Sequence, residues 1–177
     1  MMDYSESHRF PDEEPSEFAY DIDRLWPEKA EPAEIFIDLT RQLQRFFAIH
    51  KGVLIINENS STRFTATATF NNGKTRRNLS LKLPGTSSLF KIVAENGQLY
   101  TENFSELFSG NSFERNLLLE SDSQSFLIHP LKHDGAVVGL LGYSSTDPLA
   151  FATFEDCILE NTARQFAARI GKSLVRQ

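Results

Sequence analysis

The chain has 177 residues, of which 40% are apolar and 11% aromatic, with fifteen Phe against one Trp and four Tyr, enough for one cored domain plus an extension. No run approaches the ~18–20 apolar residues of a membrane span, the start lacks the basic and apolar regions of a signal peptide, and a single cysteine, Cys157, excludes an internal disulfide, a CxxC pair and a Cys-rich zinc site. The net charge of −6 is unevenly placed: residues 1–34 hold 11 acids and 3 bases, residues 35–177 hold 13 acids and 15 bases, and neither part is basic enough for a dedicated nucleic-acid binder. The expectation is a soluble, cytoplasmic protein that engages neither nucleic acid nor membrane.

Residues 1–31 are acidic, broken by Pro11, Pro15 and Pro27, and poor in aliphatics, so they read as a flexible extension that cannot offset its ordering entropy. They also carry Phe10, Phe18, Tyr20, Ile22, Leu25 and Trp26, which suits a strap across a domain as well as a solvated tail. The domain proper is expected over residues 32–177. A first helix starts after Pro32, with Ile35, Leu39, Leu43 and Phe46 on one face. Residues 52–57 form a continuous apolar run suited to a central strand. Residues 63–70 alternate, placing Phe64, Ala66, Ala68 and Phe70 on one face and the intervening threonines on the other. Asn71-Asn72-Gly73-Lys74 signals a hairpin, because Asn and Gly accept positive φ. Residues 78–83 alternate again.

Thr86 or Ser87 can cap a short helix that stops at Asn96-Gly97, and residues 98–103 form a brief strand. Residues 104–122 read as loop and short helix. Residues 125–145 are two strands about a turn at Asp134-Gly135. A closure on Lys132–Gly135 sets Leu131 opposite Ala136 and His129 opposite Val138. Thr153 and Asp156 make a capping box for a last helix whose stripe is Leu159, Ala163, Phe166, Ile170 and Leu174. The fold class is therefore α+β: a central antiparallel sheet, the N- and C-terminal helices on one face, a short helix and loops on the other.

Four pieces in this order resemble the GAF domain family. They are the serine-led helix Ser87–Gln98, the strand Ser125–Leu131 ending in Pro-Leu, the turn and strand Asp134–Leu141, and the helix entry Phe151–Asp156. The resemblance covers about residues 33–174 and implies a stand-alone GAF-type sensory or regulatory domain, not an enzyme, that dimerises through its terminal helices. Members of the family bind cyclic nucleotides, tetrapyrroles, other small metabolites or nothing known. Fold alone does not choose among these. The cyclic-nucleotide signature Asn-Lys-Phe-Asp-Glu has at best a poor echo at residues 111–116. Bilin-binding members attach their chromophore through a mid-domain cysteine, whereas Cys157 lies in the last helix. The free methionine sulfoxide reductases of this fold need several cysteines, and one thiol cannot cycle through a disulfide.

His129 is the oddity of the last hairpin, a titratable ring where the family has a hydrophobe. It reads as a ligand hydrogen-bonder, a haem ligand or a core histidine satisfied by backbone or water. Phe64, Phe70, Phe126 and Tyr143 are expected to wall a pocket on the sheet face away from the terminal helices, or to be core, with Arg63 nearby for an anionic group. Leu39, Leu43, Phe46, Leu159, Ala163, Phe166 and Ile170 are expected at a homodimer seam. Lys74, Arg76, Arg77 and Lys82 offer a counter-surface to the acidic extension. No nucleophile elbow, HExxH, phosphate loop or metal-spaced histidine pair is present. The expected partners are an unidentified small molecule, a signalling protein, or both, and the cofactor is unknown. The alternatives are a ligand-free interaction module and a small enzyme on this fold.

Overall fold

The structure, a computed structural model, describes residues 25–58, 63–84, 88–151 and 156–175. Helix α1 (Pro32–Leu43) has proline in its first turn, where the missing N–H would be unpaired anyway, and it buries Ile35, Phe36, Leu39 and Leu43. Strand β1 (Lys51–Asn57) is buried along its whole length, as befits the middle of a sheet. It pairs with β2 (Phe64–Asn71), which turns through Asn72 and Gly73, both at positive φ, into β3 (Lys74–Arg76). The run expected as a strand over 78–83 contributes only β4 (Leu81–Lys82), paired with β2 beyond β3.

Helix α2 (Leu89–Asn96) is capped by Ser88, whose hydroxyl accepts from the Lys91 N–H, and it ends at Gly97 in the left-handed region. The expected caps Thr86 and Ser87 lie outside the described residues. Then follow β5 (Tyr100–Glu102), a 3₁₀ turn at Ser105–Leu107, α3 (Ser112–Leu118), β6 (Ser125–His133), β7 (Ala136–Ser145) and α4 (Asp156–Val175). The expected capping residue Thr153 lies outside the described residues.

The seven strands form one antiparallel sheet in the order β3-β2-β1-β7-β6-β5, with β4 beside β2. Helices α1 and α4 cover one face over Leu54, Ala68, Leu127, Leu131 and Leu141. Helices α2 and α3 cover the other over Val53, Ile55, Ala66, Phe126 and Leu140. The expected α+β architecture is the observed one.

Two registers differ from expectation. In β2, Ala66 pairs with Ile55 and Ala68 with Leu54, so Thr67 is an extra residue. Such a bulge inverts which residues share a face. Phe64 and Ala66 therefore meet α2 and α3, while Ala68 and Phe70 meet α1 and α4. The last hairpin closes two residues further along β6 than the sequence reading has it. Asp134 and Gly135 both take positive φ, the two-residue turn sets His133 opposite Ala136, and a second bulge follows. Leu131 consequently faces Gly139 rather than Ala136, and His129 faces Leu141 rather than Val138.

The acidic extension ends inside the core. Trp26 is 7% exposed and belongs to the α1–α4 cluster. Its indole N–H donates to Asp38 of α1 at 3.1 Å. Arg169 of α4 donates to the Trp26 carbonyl at 3.2 Å and to the Pro27 carbonyl. Residues 26–27 are thus clasped by both terminal helices.

Candidate functional site

The six residues expected at a ligand pocket do not converge. Tyr143 is fully buried under α1, stacks on Phe36 with ring centroids 6.2 Å apart, and shares a 2.9 Å hydrogen bond with the Thr40 hydroxyl. Burial holds its phenol far above the ordinary value, so it is a neutral anchor for α1. Phe70 is buried on the same helix-covered face, because of the Thr67 bulge. Phe64 and Phe126 do lie on the far face. Phe126 is core there, stacked on Tyr100 at 5.8 Å and edge-on to Phe108 at 5.4 Å. Arg63 is exposed at the foot of β2. The pocket drawn from Phe64, Phe70, Phe126 and Tyr143 is therefore divided between two faces.

His129, of these six, lines the cleft on the face of α4. This cleft, of about 430 Å³, opens where β6 runs past the short edge strand β5. From β6 come His129, Pro130 and Lys132, and from the α2–β5 connection come Gly97 and Leu99. Helix α4 adds Glu160, Ala163 and Arg164, spaced by three and four residues and so on one helix face. Glycine suits position 97 because φ is +62°, and the end of the Lys132 side chain stands against it. Lys132 thereby lies against the C-terminal end of α2, the negative pole of that helix.

The chemistry of the cleft follows from the His129 ring. Its Nδ1 stands 2.8 Å from the Pro130 carbonyl, which can only accept, so Nδ1 carries the proton. Burial pushes the ring's pKa below the ordinary histidine value, against the opposing effects of the Pro130 carbonyl and the Glu160 carboxylate. At neutral pH the ring is uncharged and Nε2 keeps its lone pair. The cleft then presents two acceptors, His129 Nε2 and the Glu160 carboxylate. It also presents two cations, Lys132 and Arg164; one guanidinium nitrogen of Arg164 is engaged by Asn161 at 2.8 Å. Sequence reading finds His129 and misses Lys132, Glu160 and Arg164. The available signal is that Glu160 and Arg164 flank Ala163 on the polar side of the α4 stripe, but nothing local says that this side overlooks β6.

Two buried polar arrangements hold the frame. The Glu114 carboxylate, fully buried, accepts from the Leu89, Phe90 and Asn111 N–H groups at 3.2, 2.8 and 3.0 Å. It completes the Asn111–Glu114 capping box of α3 and serves the N-terminus of α2 as well. The segment 111–116 is thus a capping device. Lys51 donates to the Asn116 and Leu119 carbonyls at the end of α3 and to Glu120 at 2.7 Å. That contact lowers the Glu120 pKa. Arg77, expected to face the acidic extension, pairs with Glu34 of α1 at 3.3 Å. Among the described residues, no group of three or more His, Cys, Asp or Glu side chains could hold a metal ion, and no helix is long and apolar enough to cross a membrane.

The apolar stripes expected at a dimer seam are spent within the single chain. Leu39, Leu43, Ala163, Phe166 and Ile170 are all buried against its own sheet. A helix on a sheet hides the same stripe that a bare sequence offers to a partner helix. Phe46 lies beyond the end of α1 and is 43% exposed. The Leu159 and Cys157 side chains fall outside the described residues.

A model of the GAF domain matches residues 31–173. Among solved structures, the GAF domain of a two-component sensor histidine kinase from Bacillus halodurans superposes with a TM-score of 0.66 at 16% identity, covering 81% of this chain and 97% of that one. The GAF domain of a phosphoenolpyruvate-protein phosphotransferase from Coxiella burnetii gives 0.66 at 20% identity, over 92% and 93%. A type II free methionine-R-sulfoxide reductase from Thermoplasma acidophilum gives 0.59 at 10%, over 80% and 92%. At these identities the likeness is one of fold. No curated protein matches the chain.

Proposed function

The chain belongs to the GAF domain family, and on that premise we propose that it is a non-enzymatic sensory or regulatory domain that takes a small molecule in the cleft between β6 and α4. The observation that carries this reading is His129: a neutral ring with one nitrogen committed to the backbone and the other left as an acceptor, lining a half-open cavity of metabolite size. The presence of sensor-kinase and phosphotransferase GAF domains among its structural neighbours supports a regulatory role. The single cysteine supports a non-catalytic one, since one thiol cannot form and break an internal disulfide. Output passes to a partner protein. A homodimer through the α1 and α4 stripes is not part of this reading, because those stripes are core.

Native mass spectrometry of freshly purified protein tests it. The expected result is a retained small molecule, released on denaturation and absent from His129→Leu. A protein that carries nothing, and whose melting temperature responds to no small metabolite, would sink the reading and favour a ligand-free interaction module.

A further inference from the structure

The polar groups of the cleft differ in what a ligand could offer them. Glu160, Arg164 and Lys132 are exposed, and strand alternation turns Lys132 to the sheet face opposite His129, where it rests on Gly97. Water completes the hydrogen bonds of all three whether or not the cleft is filled, so they do not select its occupant. His129 does. Its ring is half-buried on the side of α4, in a cleft it shares with the apolar surfaces of Leu99, Pro130 and Ala163. The Nδ1 proton is committed to the Pro130 carbonyl at 2.8 Å, which fixes the tautomer and leaves Nε2 as an acceptor. Among the described residues Nε2 has no hydrogen-bond partner, and it is not sealed inside the protein. The cleft therefore holds one oriented acceptor with an open approach.

Resting on the cleft proposed above as a ligand site, we infer that its ligand is an uncharged molecule that donates an N–H or O–H to His129 Nε2 and lays an apolar body on Leu99, Pro130 and Ala163. An anion, or a molecule with acceptors only, brings its own lone pairs against that of Nε2. A molecule without a donor covers Nε2 and leaves it unbonded, the cost of any desolvated acceptor. A cation is opposed by what the ring itself shows. Burial outweighs the nearby Glu160 carboxylate and keeps a second proton off the ring, and the same burial penalises an ammonium set against it. An amide N–H and a hydroxyl share the chemistry that remains.

Nitrogen NMR of the histidine rings in the full chain provides the test, with His129 assigned by the signal lost in His129→Phe. The probes are matched pairs, δ-valerolactam with its N-methyl derivative and benzyl alcohol with its methyl ether, beside benzoate and benzylammonium. The expected result is a saturable shift at His129 Nε2 with the lactam or the alcohol, weakened about tenfold or more when the donor is methylated. The lactam binding better assigns the donor as N–H, and the alcohol binding better assigns it as O–H. Acid supplies a second reading that needs no variant. A second proton on the ring turns Nε2 from acceptor to donor, so affinity should be flat above the folded pKa, itself below 6.5, and fall about tenfold per pH unit beneath it. The charged groups lining the cleft with the ring are Glu160 and Arg164 of α4 and Lys132 of its own strand, and the α2–β5 connection adds none. Equal binding by the methylated probes would overturn the inference. So would benzoate binding that strengthens in acid, or benzylammonium as the tightest probe. If no probe shifts Nε2 and the molecule retained in native mass spectrometry is charged or lacks a donor, the inference falls and the proposed function stands. If no probe binds and nothing is retained, both fall.

Discussion

The two faces of the sheet are closed by different means. The far face is locked from inside: one buried carboxylate, Glu114, accepts from three backbone N–H groups and joins the starts of α2 and α3, over a ring cluster of Tyr100, Phe108 and Phe126. The helix face is closed chiefly by apolar burial under α1 and α4. Among the described residues its polar fastenings include the Tyr143–Thr40 bond beneath α1 and the Trp26–Pro27 clasp outside the helices. It also keeps an open margin, the cleft between β6 and α4. A face whose helices are fixed through buried backbone donors has little freedom to reshape. A face held by packing and a peripheral clasp can adjust at its rim, and the cleft sits at that rim.

Substitutions can break this contrast. Glu114→Ala is expected to cost most, roughly 4 kcal/mol, because three buried N–H groups lose their acceptor together. Trp26→Ala is expected to cost roughly 3 kcal/mol from the emptied site and the weakened clasp, read by circular dichroism in urea since the only tryptophan is gone. Were Trp26→Ala the costlier of the two, the far face would not be the more tightly fastened one. Tyr143→Phe removes a single buried hydroxyl pair and should cost about 1 kcal/mol, with the urea midpoint shifted and the slope unchanged.

The smallest effect expected is with pH. Burial lowers the pKa of both His129 and His50, so the unfolded chain binds more protons than the folded one as pH falls below about 6.5. Their contribution is complete above that value and is lost as pH drops toward the folded pKa values. His129 faces Glu160 and Lys132, and His50 faces Asp122, Glu120 and Lys51, so neither loss is large. Glu120, lowered first by its hydrogen bond from Lys51, adds a further loss below 4.5. Urea midpoints should fall between pH 7.5 and 5.5, and His129→Leu should flatten part of that slope. An unaltered slope would mean that the ring is not held neutral in the folded protein.

Much of the frame was legible locally. Pro32, the Asn72-Gly73 and Asp134-Gly135 turns and the Asn96-Gly97 stop are backbone signals that act within a few residues, and the structure uses each of them. Trp26 was legible as one of two possibilities, strap or solvated tail, and its indole is in the core. The aromatic pocket was not legible, for a specific reason. Thr65-Ala66-Thr67-Ala68-Thr69 alternates uniformly, so no local feature marks Thr67 as the extra residue, and the face of Phe70 depends on a pairing made with β1. Leu39, Leu43, Ala163, Phe166 and Ile170 read as a seam and are core, because an apolar helical face is the same whether it meets a sheet or another helix.

By itself, then, the sequence determined the order of helices, strands and turns, the α+β class, the GAF resemblance and the peculiarity of His129. Only the tertiary structure decided which aromatics share a face, which stripes are core, and that Glu160 and Arg164 of α4 stand beside His129 and Lys132 of β6. The division is physical. Caps, turns and periodicity are set by neighbours along the chain, whereas a bulge's parity and a cleft's charges are set by elements that meet only after the sheet has closed.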